Sequence, residues 1–503
     1  MSITSRHPSL YQINTRVWLH ELAQSLGRAA TFDDLADPVL DDWAGRGFQW
    51  IWFLGVWQTG DAGPAISRSQ PEWRQEYQRI LPDLRDEDIC GSPFAIVDYA
   101  VHRDFGGNDA LVRLRERLRK RGLKLLLDFV PNHVALDHPL TDTHPEFFMA
   151  GSNDDLAREP QNYCLRETAH GACILAYGRD PYVAGWPDTL QLNYRHAGLR
   201  KAMIAQLARV AVLCDGVRCD MAMLLLPDVF LRTWGDRSTP RDGSVAVDSS
   251  FWPEATACIR SLHPAFLFMA EVYWDLEWVL QQQGFDYTYD KRLYDRLHGH
   301  EVSGVSGHLH ADFAFQRKSV RFLENHDEPR AAAAFPNGSH QAAAIVSFLV
   351  PGLRFFHEGQ FEGRKVRVSV HLARRPTEPI DPVLADFYRK LLEVLKRPDV
   401  RDGAWQQLDC RPAWDGNPTF DHFLAMTWNG PNGERLLIVV NDGPTWGQCY
   451  VGLPYNDLQN RTFLLRDLMG AARYERDGND LAGRGLYLDM PGWGYHVFEI
   501  RGL

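Results

Sequence analysis

Short apolar runs alternate with longer amphipathic segments along most of the chain. The segment 33–47 has Leu35, Val39 and Trp43 at helical spacing, and the segment 108–122 begins at an Asn and ends at a Gly. Both patterns are typical of helices. Because the apolar runs are continuous, they indicate strands of a parallel sheet that is covered on both faces. Eight such units predict a closed (β/α)8 barrel, with strands at 9–19, 48–57, 123–130, 211–220, 265–272, 285–290, 319–325 and 352–358.

Two stretches depart from this alternation. The first is rich in Asp, His, Pro, Gly and Tyr, shows little helical period and is too long for a plain strand–helix loop. In the second, turns separate short β runs, which is typical of an antiparallel domain. We therefore predict an α/β protein with a TIM barrel over 1–132 and 200–397, a subdomain inserted after the third strand over 133–199, and a C-terminal antiparallel β-sandwich over 398–503.

Composition narrows the classes of partner. The 503 residues carry a net charge of -11, which argues against a nucleic-acid or anionic-membrane partner, since both need a basic face. The eight cysteines show no CxxC pair, which favours free thiols in a reducing compartment, with disulfides as the alternative. The opening MSITSRHPSLYQ lacks the apolar core of a signal peptide, and no uncharged run reaches membrane-spanning length. We expect a soluble, cytoplasmic protein, and the sequence sets no oligomeric state.

Charged and polar side chains follow the predicted strands at their carboxyl ends. A lone Asp after a strand is usually a helix cap, and a lone His is usually a satisfied core residue. Carboxylates at the ends of four strands weaken that alternative, because a cap needs no apolar run before it. The carboxyl rim of a parallel barrel holds the active site, so these side chains predict a catalytic rim: Asp128, Asn132, His133, Arg218, Asp220, Glu271, Asn325, His326 and Asp327.

The spacing of two of these carboxylates indicates a reaction type. Asp220 and Glu271 end the fourth and fifth strands, and neighbouring strands lie about 4.8 Å apart. Their carboxyl groups are then separated by about 5 Å, as in retaining glycosidases. Arg218 precedes Asp220 by two residues and points to the same face. We expect its guanidinium to keep Asp220 ionised as nucleophile, which leaves Glu271 as general acid and then base.

Four stretches, DFVPNH, GVRCD, AE and FLENHD, resemble in order and spacing the four signature regions of the α-amylase superfamily, glycoside hydrolase family 13. The opening YQINTRVWL, residues 91–107 and the stretch PGLRFFHEGQ at 351–360 are similar to that family as well. The resemblance covers nearly the whole chain. It implies Asp220 as nucleophile, Glu271 as acid/base and Asp327 as a third invariant carboxylate that holds sugar hydroxyls.

The resemblance also implies a set of substrate-binding side chains. His133 and His326 would hydrogen-bond the sugar, Arg218 would orient the nucleophile, and Asp128 would support the site. Phe94 would supply an aromatic platform where the family usually has a Tyr, with a packed core Phe as an equal alternative. The complete substrate-binding prediction is His133, Arg218, His326, Asp128, Phe94 and Arg330.

One departure from the family pattern concerns cofactors. Met223 and Leu224 stand where many starch-cleaving amylases have a Lys-His pair, which removes groups associated with binding glucan and calcium. We therefore predict that no cofactor is required. Asn132 would be a metal ligand only if calcium is bound.

The predicted activity is retaining hydrolysis of α-glucosidic bonds in α-glucans or α-gluco-oligosaccharides through a covalent glycosyl-enzyme. The alternative is transglycosylation at the same site, such as maltosyl transfer, in which a sugar hydroxyl replaces water. A non-catalytic carbohydrate-binding relative is disfavoured because all three carboxylates are present. A divalent metal on the carboxylates is disfavoured because Arg218 would lie beside the cation.

Overall fold

The computed structural model describes residues 6–169 and 171–503. The start of the segment MSITSRHPSLYQ, in which no signal peptide is expected, lies outside the described residues. Within the described part, eight parallel strands close into a barrel, which confirms the predicted TIM barrel. These strands are β1 (Ser9–Asn14), β2 (Trp50–Leu54), β3 (Lys124–Phe129), β4 (Gly216–Cys219), β5 (Leu267–Ala270), β6 (Tyr287–Tyr289), β7 (Ser319–Arg321) and β8 (Leu353–His357). Their order around the barrel is β1-β8-β7-β6-β5-β4-β3-β2.

Two of the predicted strands included parts of helices. The run 9–19 contains β1 and then the first turn of the helix Thr15–Leu26, which begins where the Asn14 side chain accepts a hydrogen bond from the Val17 N–H at 3.4 Å. The run 211–220 starts inside the helix Ala197–Leu213. The predicted limits were wrong here because the helix faces that cover a barrel are as apolar as its strands.

Helices surround the barrel between its strands. The predicted helix 33–47 is a 3-10 turn, Phe32–Asp34, followed by the helix Asp37–Gly45, and the segment 108–122 corresponds to Gly107–Arg119. The described chain has further helices, the last of which lies in the C-terminal part: Ala62–Ser69, Pro71–Ile80, Leu140–Thr143, Asn153–Arg158, Pro227–Trp234, Phe251–Leu262, Glu277–Gln282, Lys291–His298, Val302–Leu309, Phe313–Gln316, Ala331–Ala334, Ser339–Phe348, Pro382–Leu395, Pro398–Asp402 and Gly478–Gly483. Further 3-10 turns are Asp86–Asp88, Arg103–Phe105, Pro145–Phe147, Ala222–Leu225, Gly235–Ser238 and Thr419–His422.

Small antiparallel pairs of strands interrupt the barrel after β2 and β3. Both segments follow the carboxyl ends of barrel strands, so they lie beside the rim that contains the predicted site. The pairs are Trp57–Thr59 with Ile96–Val101 after β2, and His133–Ala135 with Thr189–Gln191 and Tyr163–Thr168 with Gly171–Ala176 after β3.

The C-terminal part consists of two antiparallel sheets, as predicted. Side chains alternate between the faces of the larger sheet: Met426 and Trp428 pack into the core that includes the barrel, whereas Ala425 packs into a separate core between the two sheets. Trp428 also donates its Nε1–H to the carbonyl of Leu349 at 2.7 Å. The sheets contain, in spatial order, Ala404–Leu408, Phe423–Asn429, Arg435–Asn441, Tyr495–Gly502, Thr462–Asp467 and Arg473–Asp477, and then Cys410–Pro412, Gly447–Val451 and Leu486–Met490.

None of the described helices combines the length and the apolar character that crossing a bilayer needs. All eight cysteines lie in the described part, and each is a free thiol.

Candidate active site

The ends of β4 and β5 place Asp220 opposite Glu271. The two strands pair with Arg218 beside Met269 and Cys219 beside Ala270, so the next residues in register are Asp220 and Glu271. Backbone hydrogen bonds continue this pairing, because the Glu271 N–H donates to the Cys219 carbonyl at 3.1 Å. The prediction that β4 and β5 are neighbouring strands is therefore confirmed.

The Arg218 guanidinium bridges the two carboxylates. Its Nη1 lies 2.6 Å from Asp220 Oδ1, and its Nη2 lies 2.7 Å from Glu271 Oε2. The Arg218 side chain is 1% exposed, so these are charge-assisted contacts in a site from which water is largely excluded. The sequence pattern assigned Arg218 to Asp220 alone, whereas the structure shows that both carboxylates share one positive charge.

Aromatic rings and Asp128 hold Arg218 in place. The guanidinium carbon lies 5.6 Å from the Trp52 ring centroid and 5.2 Å from that of Phe94, both within cation–π range. Asp128 Oδ1 is 3.7 Å from Arg218 Nη1, and Asp128 Oδ2 accepts a hydrogen bond from the Gly55 N–H at 2.8 Å. Phe94 therefore contacts the charged centre of the site, and its part in stacking on a sugar stays a prediction.

Glu271 has two further donors that the sequence did not reveal. The Met221 N–H donates to its Oε2 at 2.6 Å, and the Tyr273 hydroxyl donates to its Oε1 at 3.0 Å. Met221 adopts a left-handed backbone with φ of 43°, which is strained for a side chain of this size. This turn directs the N–H that follows Asp220 toward Glu271. Tyr273 could have been noticed only as a polar residue two positions after Glu271.

Two buried histidines lie at the same rim in neutral form. Gln12 Nε2 donates to His326 Nδ1 at 2.9 Å, so the ring hydrogen is on Nε2, which lies 3.1 Å from Asp327 Oδ2. Burial lowers the pKa of His326 to about 3 and that of His133 to about 3. Neutral imidazoles can donate a hydrogen bond to a sugar hydroxyl without adding charge to the site.

The site favours protonation of a carboxyl group. Burial raises the pKa of Glu271, and the negative charges of Asp220 and Asp327 raise it further, while Arg218 opposes them. Burial also raises the pKa of Asp220 against the opposing guanidinium, and it raises the pKa of Asp128 to about 7. Since Asp220 and Glu271 share one cation, the pair holds a proton more easily than isolated carboxylates do.

The remaining predicted residues have differing surroundings. The Asp327 side chain is 44% exposed and is therefore accessible to a ligand. Arg330 is buried, with Nη1 3.1 Å from Glu324 Oε1 and Nη2 donating to the Glu358 carbonyl. Both Nη atoms of its guanidinium contact protein groups, and its part in substrate binding stays a prediction.

The candidate calcium ligand is engaged by the protein. Asn132 exchanges hydrogen bonds with the Gln191 side chain at 2.9 and 3.2 Å. Met223 and Leu224, at the positions of the family's Lys-His pair, are buried in the turn that follows Asp220. Across residues 6–169 and 171–503, the structure shows no group of three or more His, Cys, Asp or Glu side chains that is arranged to hold a metal ion.

Comparison with known proteins identifies the family. The family described as "Alpha amylase, catalytic domain" matches residues 92–368, which is more than half of the chain. The chain belongs to the α-amylase family. The matched residues include β3 to β8 and therefore the rim described above.

Individual members of this family are distant in sequence. Alpha-amylase MalA of Haloarcula japonica is 24% identical over 57% of this chain and 39% of its own length. The 1,4-alpha-glucan branching enzyme GlgB of Burkholderia vietnamiensis is 23% identical over 89% of this chain and 58% of its own length. The chain thus spans about two fifths to three fifths of these curated relatives. The crystal structure of the maltogenic alpha-amylase AmyB from Thermotoga neapolitana shares the fold, with a TM-score of 0.68, 18% identity and 98% of each chain covered.

Proposed function

We propose that the chain is a retaining glycoside hydrolase that cleaves α-glucosidic bonds of α-glucans or α-gluco-oligosaccharides. The observation that carries this proposal is the pairing of Asp220 with Glu271 in register on adjacent strands, bridged by the Arg218 guanidinium. Carboxyl groups at neighbouring strand ends suit a covalent, retaining reaction, because an inverting enzyme needs room for a water molecule between them.

The geometry supports distinct roles for the two carboxyl groups. Among the described residues, no group donates a hydrogen bond to Asp220 Oδ2, while Oδ1 is held by Arg218, so Oδ2 is the atom that attacks the anomeric carbon. As that bond forms, Glu271 gives its proton to the departing glycosidic oxygen. Glu271 then takes a proton from water, whose oxygen displaces Asp220 and releases the sugar.

Transglycosylation is the second candidate, and the name of the branching enzyme relative supports it. It uses the same glycosyl-enzyme, with a sugar hydroxyl in place of water. A divalent metal centre is disfavoured, because Arg218 lies 2.6 and 2.7 Å from the carboxylates that would have to ligate the cation. The proposed reaction uses only side chains of the protein and requires no cofactor.

We further propose a cytoplasmic location and a neutral glucan as the partner. Eight free thiols support a reducing compartment. The net charge of -11 supports a substrate other than nucleic acid or anionic membrane.

The stereochemistry of the first product tests the proposal. We expect NMR of a fresh reaction on an α-linked gluco-oligosaccharide to show the α anomer first, because two displacements at one carbon restore its configuration. Asp220→Asn protein assayed in parallel is the control for contaminating activity. An initial β product would mean a single displacement and would contradict the proposed pairing.

The pH dependence of kcat/KM tests the role of Tyr273. Since kcat/KM requires protonated Glu271, activity should fall as pH rises through the pKa of that carboxyl group. Tyr273→Phe removes a donor to the ionised form, which raises this pKa and moves the alkaline limb to higher pH, with kcat lowered by about 3- to 10-fold. Tyr450→Phe in the smaller C-terminal sheet is the matched control, and equal alkaline limbs in all three proteins would refute a link between Tyr273 and the acid.

A further inference from the structure

A cavity lies at the end of the barrel opposite the carboxylate rim. Trp50, Lys124, Leu267 and Tyr287, which line it, are the first residues of β2, β3, β5 and β6. All these strands are parallel, so their first residues lie at the end away from Asp220 and Glu271. The cavity measures about 660 Å³, within the range of about 300–1,000 Å³ that is usual for small-molecule sites.

The charge of this cavity is opposite to that of the chain. Its wall includes one carboxylate, Asp286, although the chain as a whole has a net charge of -11. A concentration of positive charge in a concave site raises the local concentration of anions. The cationic residues of the wall are Arg6, Lys124, Arg260, Arg317 and Lys318.

Two of these five cations interact with other groups of the protein. Arg260 pairs with Asp286 at 2.8 Å. The Lys318 Nζ donates to the carbonyls of Gln281 and Phe285 at 3.2 and 3.1 Å, next to the end of the helix Glu277–Gln282. Such contacts at helix C-termini are common and need no ligand.

The other three cations have no anionic partner in the described chain. Among its residues, no carboxylate lies within 4.0 Å of the side-chain nitrogens of Arg6, Lys124 or Arg317, and residues 1–5 and 170 include no Asp or Glu. The Lys124 ammonium instead lies 5.1 Å from the centroid of the Trp50 ring. Uncompensated like charges around one cavity repel each other, and a bound anion would remove that cost.

Burial and nearby positive charges lower the pKa values of two wall residues. Burial lowers the pKa of Lys318, the Asp286 carboxylate opposes this shift, and the charges of Arg317 and Arg260 add to it. Burial lowers the pKa of His7 to about 2, the charges of Arg354 and Arg321 lower it further, and Arg6 and Arg317 contribute less. His7 Nδ1 accepts a hydrogen bond from the Gly352 N–H at 3.1 Å, so its hydrogen is on Nε2, a buried donor with no partner among the described residues.

Four aromatic rings also line the cavity. They are Trp50, Phe266, Tyr287 and Phe313. We propose that this cavity binds a small molecule that carries both a phosphate group and a ring, with the phosphate on the free cations and the ring against the aromatic side chains. This site is separate from the proposed catalytic centre and goes beyond the proposed function. A nucleoside diphosphate and a sugar phosphate both have this chemistry.

Isothermal titration calorimetry on the full chain tests the proposal. The probes are ADP and glucose 1-phosphate, with inorganic phosphate as the anion without a ring and adenosine as a ring without charge. The double variant Lys124→Gln/Arg317→Gln removes two free cations. The charge-matched control Lys201→Gln/Arg473→Gln changes two exposed cations on a helix and on a C-terminal strand, neither of which is among the residues that line the cavity. Arg317→Gln alone, at an exposed residue, serves if the double variant fails to fold.

We expect ADP or glucose 1-phosphate to bind more tightly than phosphate or adenosine. The Lys124→Gln/Arg317→Gln variant should weaken binding by about tenfold or more, and added salt should weaken it as well, whereas the control variant should match the wild type. Asp220→Asn should bind the same probe normally, so failure of this site and failure of the proposed catalysis are distinguishable. The proposal is overturned if neither probe binds at millimolar concentration, if inorganic phosphate binds as tightly as both, or if the cavity variant and the control behave alike.

Discussion

Asp220→Asn is expected to lower the rate of α-glucoside hydrolysis by at least about 10³-fold while the protein stays folded. An amide is a poor nucleophile toward the anomeric carbon, so no glycosyl-enzyme forms even with a good leaving group. Asparagine also keeps the shape of the side chain, and its oxygen can still accept the contact from Arg218 Nη1 that Asp220 Oδ1 accepts at 2.6 Å. Steady-state kinetics on an α-linked oligosaccharide and on an aryl α-glucoside measure the loss.

Asp415→Asn is the matched control for this variant. Asp415 is exposed and lies in the C-terminal part. The variant makes the same change from carboxylate to amide away from the site, so it should keep wild-type kinetics. Circular dichroism and thermal unfolding of both variants separate a chemical effect from a folding defect. Retention of more than a few per cent of activity in Asp220→Asn would show that another group is the nucleophile.

Glu271→Gln is expected to have an effect that depends on the leaving group. On an unactivated oligosaccharide the rate should fall by about 10²- to 10⁴-fold, because no proton reaches the departing oxygen. On an aryl α-glucoside whose phenol leaves without protonation, the first step should continue slowly and the glycosyl-enzyme should accumulate, because its hydrolysis lacks a base. Rapid-quench kinetics and mass spectrometry of the intact protein detect the burst and the covalent adduct.

The contrast between the two variants is the decisive result. Glu475→Gln, at an exposed position of a C-terminal strand, controls for the change from carboxylate to amide. Equal residual rates of Asp220→Asn and Glu271→Gln on the activated substrate would undo the assignment of roles.

The shared guanidinium also links the pKa values of the two carboxyl groups. Loss of one carboxylate leaves Arg218 paired with the other, so Glu271→Gln should lower the pKa of Asp220 relative to the wild type.

The barrel and the positions of its polar residues could be predicted because both depend on local pattern. A strand covered on both faces must be apolar throughout, so β3 and β8 were recognisable without knowledge of their neighbours. Their limits were less predictable. Nothing local separates the apolar face of the helix Ala197–Leu213 from the strand β4 that follows it, since both contribute to the same core.

The sequence by itself determined that Asp220 and Glu271 end successive apolar runs and that Arg218 points to the same face as Asp220. Only the tertiary structure decided how the charges are shared. Arg218 reaches Glu271 as well as Asp220, and the Met221 N–H and Tyr273 hydroxyl complete the acid's surroundings. The basic cavity is also a tertiary property, because Lys124 and Arg317 are far apart in the chain. Strand order and register bring such residues together, and neither is encoded in any single segment.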